Sequence, residues 1–194
     1  MLYSPKAENR GAKALMLLLV ALGSLCFSFT IPQPAYRGLW TLSATILLMS
    51  GVFVWARYIG IAFTYEIAWR GYPPAEEGME YAAASPANVT ALPPHMLDFT
   101  VRKTQGRRSF TDARLGLSEL AYFDLYPRRG GKAREVHKKY PTMKLFNYTV
   151  SMIPERAYIA VFVDGDGDVA GLILEPDAAM ASYLSRIAGE GGVV

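Results

Sequence analysis

The sequence predicts an α+β membrane protein: an N-terminal hairpin of two transmembrane helices, then an antiparallel β-barrel or sandwich that ends in a helix. Residues 14–31 and 38–56 carry no charged side chain, and each run has about the 20-residue length that a helix needs to cross a hydrocarbon core. Several later segments alternate apolar and polar residues, as half-buried strands do. We therefore divide the chain into a membrane hairpin over residues 1–60 and one domain over residues 61–190.

The first apolar run has a basic flank, which a secretory signal peptide would also have. A second apolar run begins after residues 32–37, and no small-residue cleavage pattern separates the two, so the sequence favours two spans. Arg57 follows the second run, whereas the connection holds only Arg37. This bias predicts that both termini face the cytoplasm. The basic residues before the first run are Lys6, Arg10 and Lys13.

Small residues in the first span suggest how the two helices meet. Ser24 and Ser28 lie four positions apart, a spacing that allows close helix packing. The single cysteine, Cys26, lies between them. No disulfide can therefore form within the chain, which suits a reducing cytoplasm.

The domain is predicted to form a meandering antiparallel sheet with six or seven strands. Residues 71–95 are rich in Pro, Ala, Glu and Gly and are predicted to form an irregular insertion. Gln105-Gly106 predicts a hairpin turn, and a basic loop is expected between the fourth and fifth strands. The predicted strands cover residues 63–69, 96–102, 107–111, 120–126, 144–150, 158–163 and 169–174.

A C-terminal amphipathic helix is predicted to plug one end of the barrel or sandwich. Pro176 and Asp177 suit a first helical turn, and Gly189 suits its end. One apolar stripe follows from the positions of Met180, Tyr183, Leu184 and Ile187.

The order of these parts resembles that of the bacterial PH-like domains. The resemblance rests on the hairpin, on residues 117–121, on the strand at 158–163, and on residues 172–176 leading into the helix. Membrane-anchored members behind a two-helix hairpin are similar in layout. The resemblance implies a non-catalytic binding or scaffolding module on the cytoplasmic face of the cell membrane. Its ligand would be either anionic lipid or a protein partner, and the alternative is a structural subunit of a larger membrane complex.

The middle of the chain is basic, with twelve Lys and Arg against four Asp and Glu between Arg102 and Lys144. Cations near a bilayer are attracted to anionic headgroups by about 1 kcal/mol each. The candidate lipid or partner site comprises Arg107, Arg108, Lys138 and Lys139. The alternative is that these are solvated loop charges. A net charge of only +3 and the lack of a recognition helix argue against nucleic acid.

An acidic run raises the possibility of a calcium site. Asp164, Asp166, Asp168 and Glu175 have the spacing of positions 1, 3, 5 and 12 of an EF-hand loop. Val169 stands where that loop needs Gly, and the flanks are predicted strands. An ordinary Asp-Gly hairpin turn is therefore the favoured interpretation, with metal binding as the alternative.

Catalytic signatures are missing from the sequence. His95 and His137 are the only histidines, neither has a metal-ligand spacing, and no nucleophile motif occurs. We therefore expect neither enzymatic activity nor a cofactor.

Overall fold

The computed structural model describes residues 1–5, 9–32, 34–70, 92–126, 131–152 and 154–191. Two compact units emerge, one of them mainly helical (Ala7–Ala62 with Ser151–Ile153) and the other comprising the rest of the chain. The predicted insertion falls largely at residues 71–91, outside the described residues. Its last part includes a single 3₁₀ turn, Pro94–Met96.

The helical unit is an antiparallel pair, α1 (Arg10–Ser28) and α2 (Arg37–Tyr58). The buried contact uses Gly23, Ala44 and Gly51. A Cβ added at Gly23 would lie 2.9 Å from the Cγ of Leu48, so the helices approach closely at this glycine. Ser24 and Ser28 are exposed. The close helix approach was thus predicted, but at the wrong residues.

Both helices expose most of their surface within the structure. By length and composition each could cross a membrane, and only 11% and 17% of their most apolar windows are buried. A core helix of a water-soluble protein would be mostly buried.

At the end where α1 begins and α2 ends, the Asn9 side-chain amide donates a hydrogen bond to the carbonyl oxygen of Tyr58.

The first sheet, sheet A, has four strands in the order β1-β2-β3-β4. Its edge strand β1 precedes the helices in the chain, and its Tyr3 pairs with Tyr65. Next to that pairing, the backbones of Met1 and Ile67 exchange two hydrogen bonds of 2.7 Å. A two-residue strand is too short to show alternation, so the sequence did not predict β1. The strands are β1 (Leu2–Tyr3), β2 (Ile61–Trp69), β3 (Leu97–Gln105) and β4 (Arg108–Gly116).

The second sheet, sheet B, has four strands in the order β5-β7-β8-β6. Strand β6 pairs with β8 in parallel, so the expected antiparallel meander is wrong at this edge. Both sheets are open, which corrects the barrel alternative in favour of two separate sheets. The strands are β5 (Leu120–Leu125), β6 (Lys144–Asn147), β7 (Tyr158–Val163) and β8 (Val169–Leu174).

A short basic helix, α3 (Gly131–Lys139), occupies part of the stretch predicted as a loop. Its Val136 is buried with Met143, Ile159 and Val161, so α3 covers a face of sheet B. The helix sequence has one large apolar residue, Val136, which does not establish a helical period. This explains why the helix was missed.

The core joins the two sheets through aromatic rings. Phe99 of β3 stacks on Phe162 of β7, with ring centroids 6.0 Å apart.

The C-terminal helix α4 (Ala178–Gly191) packs beside β5 and buries the predicted apolar stripe. Asp177 caps it, since its Oδ1 accepts a hydrogen bond from the Met180 N–H at 2.8 Å. The helix continues two residues past Gly189.

Candidate functional site

The turn between β3 and β4 presents two of the predicted site residues. Gln105 pairs with Arg108 across the turn, leaving Gly106 and Arg107 as its central residues. Gly106 has a φ of +63°, which fits the first central position of a type II′ turn. Arg107 and Arg108 are therefore neighbours at an exposed hairpin tip.

The residues flanking this turn form cross-strand pairs. Lys103 lies opposite Phe110, with its Nζ 5.7 Å from the centre of the ring, within reach of a cation–π contact. On the adjacent pair, the hydroxyls of Thr104 and Ser109 are 3.2 Å apart and hydrogen-bonded. These contacts give the tip a defined shape.

The register of sheet A decides where this tip lies. The Arg70 N–H donates to the carbonyl oxygen of Met96 at 2.8 Å, and Arg102 forms a 2.9 Å ion pair with Glu66. Strand β3 therefore runs antiparallel to β2, and its end lies beside the start of β2. The hairpin tip is thus at the end of sheet A where β2 begins, and Ile61 there follows the last residue of α2 by three positions.

The other two predicted cations lie on a different element. Lys138 and Lys139 are in the last turn of α3 and are exposed. The Nζ of Lys139 is 5.7 Å from the Tyr122 ring centre and 5.3 Å from that of Tyr140. Lys139 thus lies over aromatic rings beside sheet B, whereas the arginine pair lies at the tip of a hairpin in sheet A.

The acidic run forms the predicted turn between β7 and β8. The Asp164 Oδ1 accepts hydrogen bonds from the N–H groups of Asp166 and Asp168, at 3.0 and 2.9 Å. Gly167 has a φ of +84°, a conformation that favours glycine. The Asp164 carboxylate therefore organises its own turn.

Glu175, the fourth member of the EF-hand spacing, lies at the opposite end of β8 from Asp168. Its Oε2 accepts a hydrogen bond from the Val150 N–H at 2.6 Å. Across the ranges that the structure describes, no three His, Cys, Asp or Glu residues are placed to hold a metal ion.

A cleft of about 170 Å³ opens beside this turn. It is smaller than the roughly 300–1,000 Å³ of typical small-molecule pockets. Its Glu119 lies 3.6 Å from the Nη2 of Arg70, and its Asp164 serves the turn. Thr142, Lys144 and Asp168 complete the polar lining. The known partners of Glu119 and Asp164 give these two carboxylates structural roles.

A second polar cluster ties the ends of β2, β3 and β4 together. The Asp98 side chain is only 7% exposed and accepts hydrogen bonds from the Nε atoms of Arg70 and Arg114, at 3.1 and 2.7 Å. Arg114 also donates to the carbonyl oxygen of Arg70. With Glu119 nearby, two cations are balanced by two carboxylates, so the cluster has no net charge to attract an ion.

Comparisons of the chain with protein-family models, curated proteins and solved structures gave no match. The geometry of the chain is therefore the basis for assigning a function.

Proposed function

We propose that this chain is a two-span membrane protein whose PH-like α+β domain is a non-catalytic binding or scaffolding module at the cytoplasmic face. The observation that carries the proposal is the exposure of large apolar side chains along α1 and α2. Leu17, Phe27 and Phe53 are 62%, 61% and 67% exposed. Water-soluble proteins rarely expose contiguous apolar surface on this scale, whereas a bilayer would cover it.

The position of β1 supports a hairpin that crosses the membrane and returns. Strand β1 precedes α1 in the chain and β2 follows α2, yet the two strands pair in one sheet. Two spans bring the chain back to its starting side, as this pairing requires. The cations that flank the outer ends of the spans support a cytoplasmic position for that side.

The polar groups of the domain support a binding module over an enzyme. The carboxylates described above stabilise a turn, ion pairs and a helix cap, and Glu175 accepts a hydrogen bond from the Val150 N–H. His95 and His137 are both exposed. The ligand class on this proposal is anionic lipid or a protein partner.

The second candidate is a non-catalytic structural subunit of a larger membrane complex. The exposed apolar faces of α1 and α2 favour it as well, because neighbouring transmembrane helices could cover them. Purification in mild detergent distinguishes the two: a stoichiometric companion chain supports the subunit, and a chain that elutes alone supports the module.

Membrane insertion and topology are tested together in cells that express the full chain. We expect the protein to resist extraction by alkaline carbonate. With Cys26 replaced by Ser, a cysteine at exposed Ser4 or Ser185 should escape a membrane-impermeant maleimide in intact cells. A cysteine at Ala35, between the two helices, should react. Release by carbonate would contradict insertion, and the reverse labelling pattern would invert the topology.

A further inference from the structure

We propose that the tip of the β3–β4 hairpin, residues 103–110, docks on anionic phospholipid headgroups of the bilayer that holds the helices. The inference rests on the proposed membrane anchoring and goes beyond it by naming the docking element and its ligand.

Chain connectivity is the first argument. The tip lies at the end of sheet A where β2 begins, and Ile61 follows Tyr58, the last residue of α2, by three positions. A chain extends by at most about 3.5 Å per residue, so this connection spans no more than roughly 10 Å. Strand β1 runs toward the same end, since Leu2 and Tyr3 pair with Glu66 and Tyr65. If α2 spans the bilayer, the tip is tethered close to the headgroups whatever angle the helices take.

Charge is the second argument. Residues 103–110 contain Lys103, Arg107 and Arg108 and no acidic residue. The acidic side chains nearest the tip are already engaged: along the chain, Asp98 pairs with Arg70 and Arg114 and Asp112 lies by the Tyr148 hydroxyl. On the neighbouring strand, Glu66 pairs with Arg102. In the part of the chain that the structure describes, these three cations take part in no ion pair, so the tip presents them to an anionic surface.

Shape is the third argument. Phe110 is 39% exposed and lies under the Lys103 ammonium. An aromatic ring with cations around it suits the interface between hydrocarbon and headgroups. The type II′ turn at Gly106 and the Thr104–Ser109 hydrogen bond hold the cations in place before binding. Little conformational freedom is then lost when the tip docks.

The α3 cations do not share these features. Helix α3 packs on sheet B through its Val136, whereas the tip lies at the end of sheet A where β2 follows α2. We therefore assign headgroup contact to Arg107 and Arg108 and not to Lys138 and Lys139. Replacement of Arg107 and Arg108 should therefore weaken docking, whereas replacement of Lys138 and Lys139 should not.

The experiment uses the full chain in lipid nanodiscs, because a fragment that began after α2 would lack β1. With Cys26 replaced by Ser, an environment-sensitive fluorophore is attached at Gln105→Cys, an exposed position beside the turn. Nanodiscs contain phosphatidylcholine alone or with a quarter of phosphatidylserine, plus a lipid with a spin label on its headgroup. Quenching of the fluorophore by the spin label reports contact.

We expect stronger quenching with phosphatidylserine, falling by roughly half or more as salt shortens the Debye length from about 10 Å to about 3 Å. Arg107→Gln/Arg108→Gln should give the same loss. The matched control Lys138→Gln/Lys139→Gln, which removes two exposed cations in the last turn of α3, should leave quenching unchanged. Unchanged thermal unfolding of both double variants shows that the fold is intact.

Equal quenching with and without phosphatidylserine, or a loss in the α3 control alone, would overturn the docking assignment. Weak quenching in all lipids, with a companion protein lost on Arg107→Gln/Arg108→Gln, would also overturn it in favour of a protein ligand. Failure of the chain to enter nanodiscs would instead refute the proposed membrane anchoring, so the two failures are distinct.

Discussion

The hydroxyl of Tyr65 in sheet A donates a 2.8 Å hydrogen bond to the carbonyl oxygen of Tyr148, just after β6 of sheet B. The same hydroxyl accepts a hydrogen bond from the Glu175 N–H at 3.1 Å. Tyr65 is fully buried. One side chain thus satisfies two backbone groups, each of which follows a strand of sheet B, and so links the two sheets.

Replacement of Tyr65 by Phe should destabilise the domain by about 1–3 kcal/mol, because two backbone groups lose a partner in a buried position. The ring remains, so its packing on Phe99, with centroids 6.4 Å apart, is kept. Thermal unfolding of the full chain in detergent, followed by near-ultraviolet circular dichroism, measures the loss. Tyr36→Phe is the control because Tyr36 is 63% exposed. Equal unfolding of the two variants would show that the Tyr65 hydroxyl is not a structural link.

The raised pKa of the Tyr148 hydroxyl predicts that the folded chain loses stability in alkaline solution. Burial is the largest cause that raises the pKa of Tyr148 above its ordinary value of 10.0. The negative charge of Asp112 and a hydrogen bond to its side chain raise this pKa further. The folded state therefore holds this proton more tightly than the unfolded state does. The resulting stabilisation is fully present below about pH 10 and is lost as the pH rises through the raised pKa.

We expect the unfolding temperature of the native chain to fall more steeply above about pH 10 than that of Tyr148→Phe. Asp112→Asn, which removes the charge that helps to raise this pKa, should give an intermediate slope. The measurement is a series of thermal melts from neutral to alkaline pH. Parallel curves for the native chain and Tyr148→Phe would exclude Tyr148 as the source of the dependence.

Asp98→Asn should destabilise the chain by roughly 1–3 kcal/mol, since two guanidinium groups lose a charged acceptor. The cost stays below the 3–5 kcal/mol typical of fully buried pairs, because the side chains of Arg70 and Arg114 are 52% and 35% exposed. Denaturant titration of the detergent-solubilised chain gives the value. Asp166→Asn, at an exposed turn position, is the matched control and should leave the titration midpoint unchanged.

Sequence patterns predicted the helices and strands where an element has a full period of its own. The two predicted apolar spans correspond to helices α1 and α2. The predicted strand at 158–163 corresponds to Tyr158–Val163 in the structure. Helix α3 was missed because Val136 is the one large apolar residue in its sequence. The close approach of the two helices was assigned to Ser24, although it depends on Gly23, since one residue along a helix changes the face.

The placement of the candidate site could not be predicted because it depends on contacts between distant residues. Charge alone grouped Arg107 with Lys138, which lie on a hairpin of sheet A and on α3 beside sheet B. What locates the hairpin tip is the register of β2 and β3, marked by the Glu66–Arg102 ion pair. That register is set by contacts between strands that are distant in sequence, so no local sequence pattern indicates it.

The stripe of α4 yields the sharpest stability prediction. Leu184 is fully buried, whereas the next residue, Ser185, is exposed. Leu184→Asp puts a carboxylate into the core beside Met180 and should cost several kcal/mol, unless α4 detaches. We expect cooperative unfolding of the domain to be lost or its midpoint to fall sharply. Ser185→Asp adds the same charge one position away and should unfold like the native chain. Similar unfolding of Leu184→Asp and Ser185→Asp would show that α4 does not pack through this stripe.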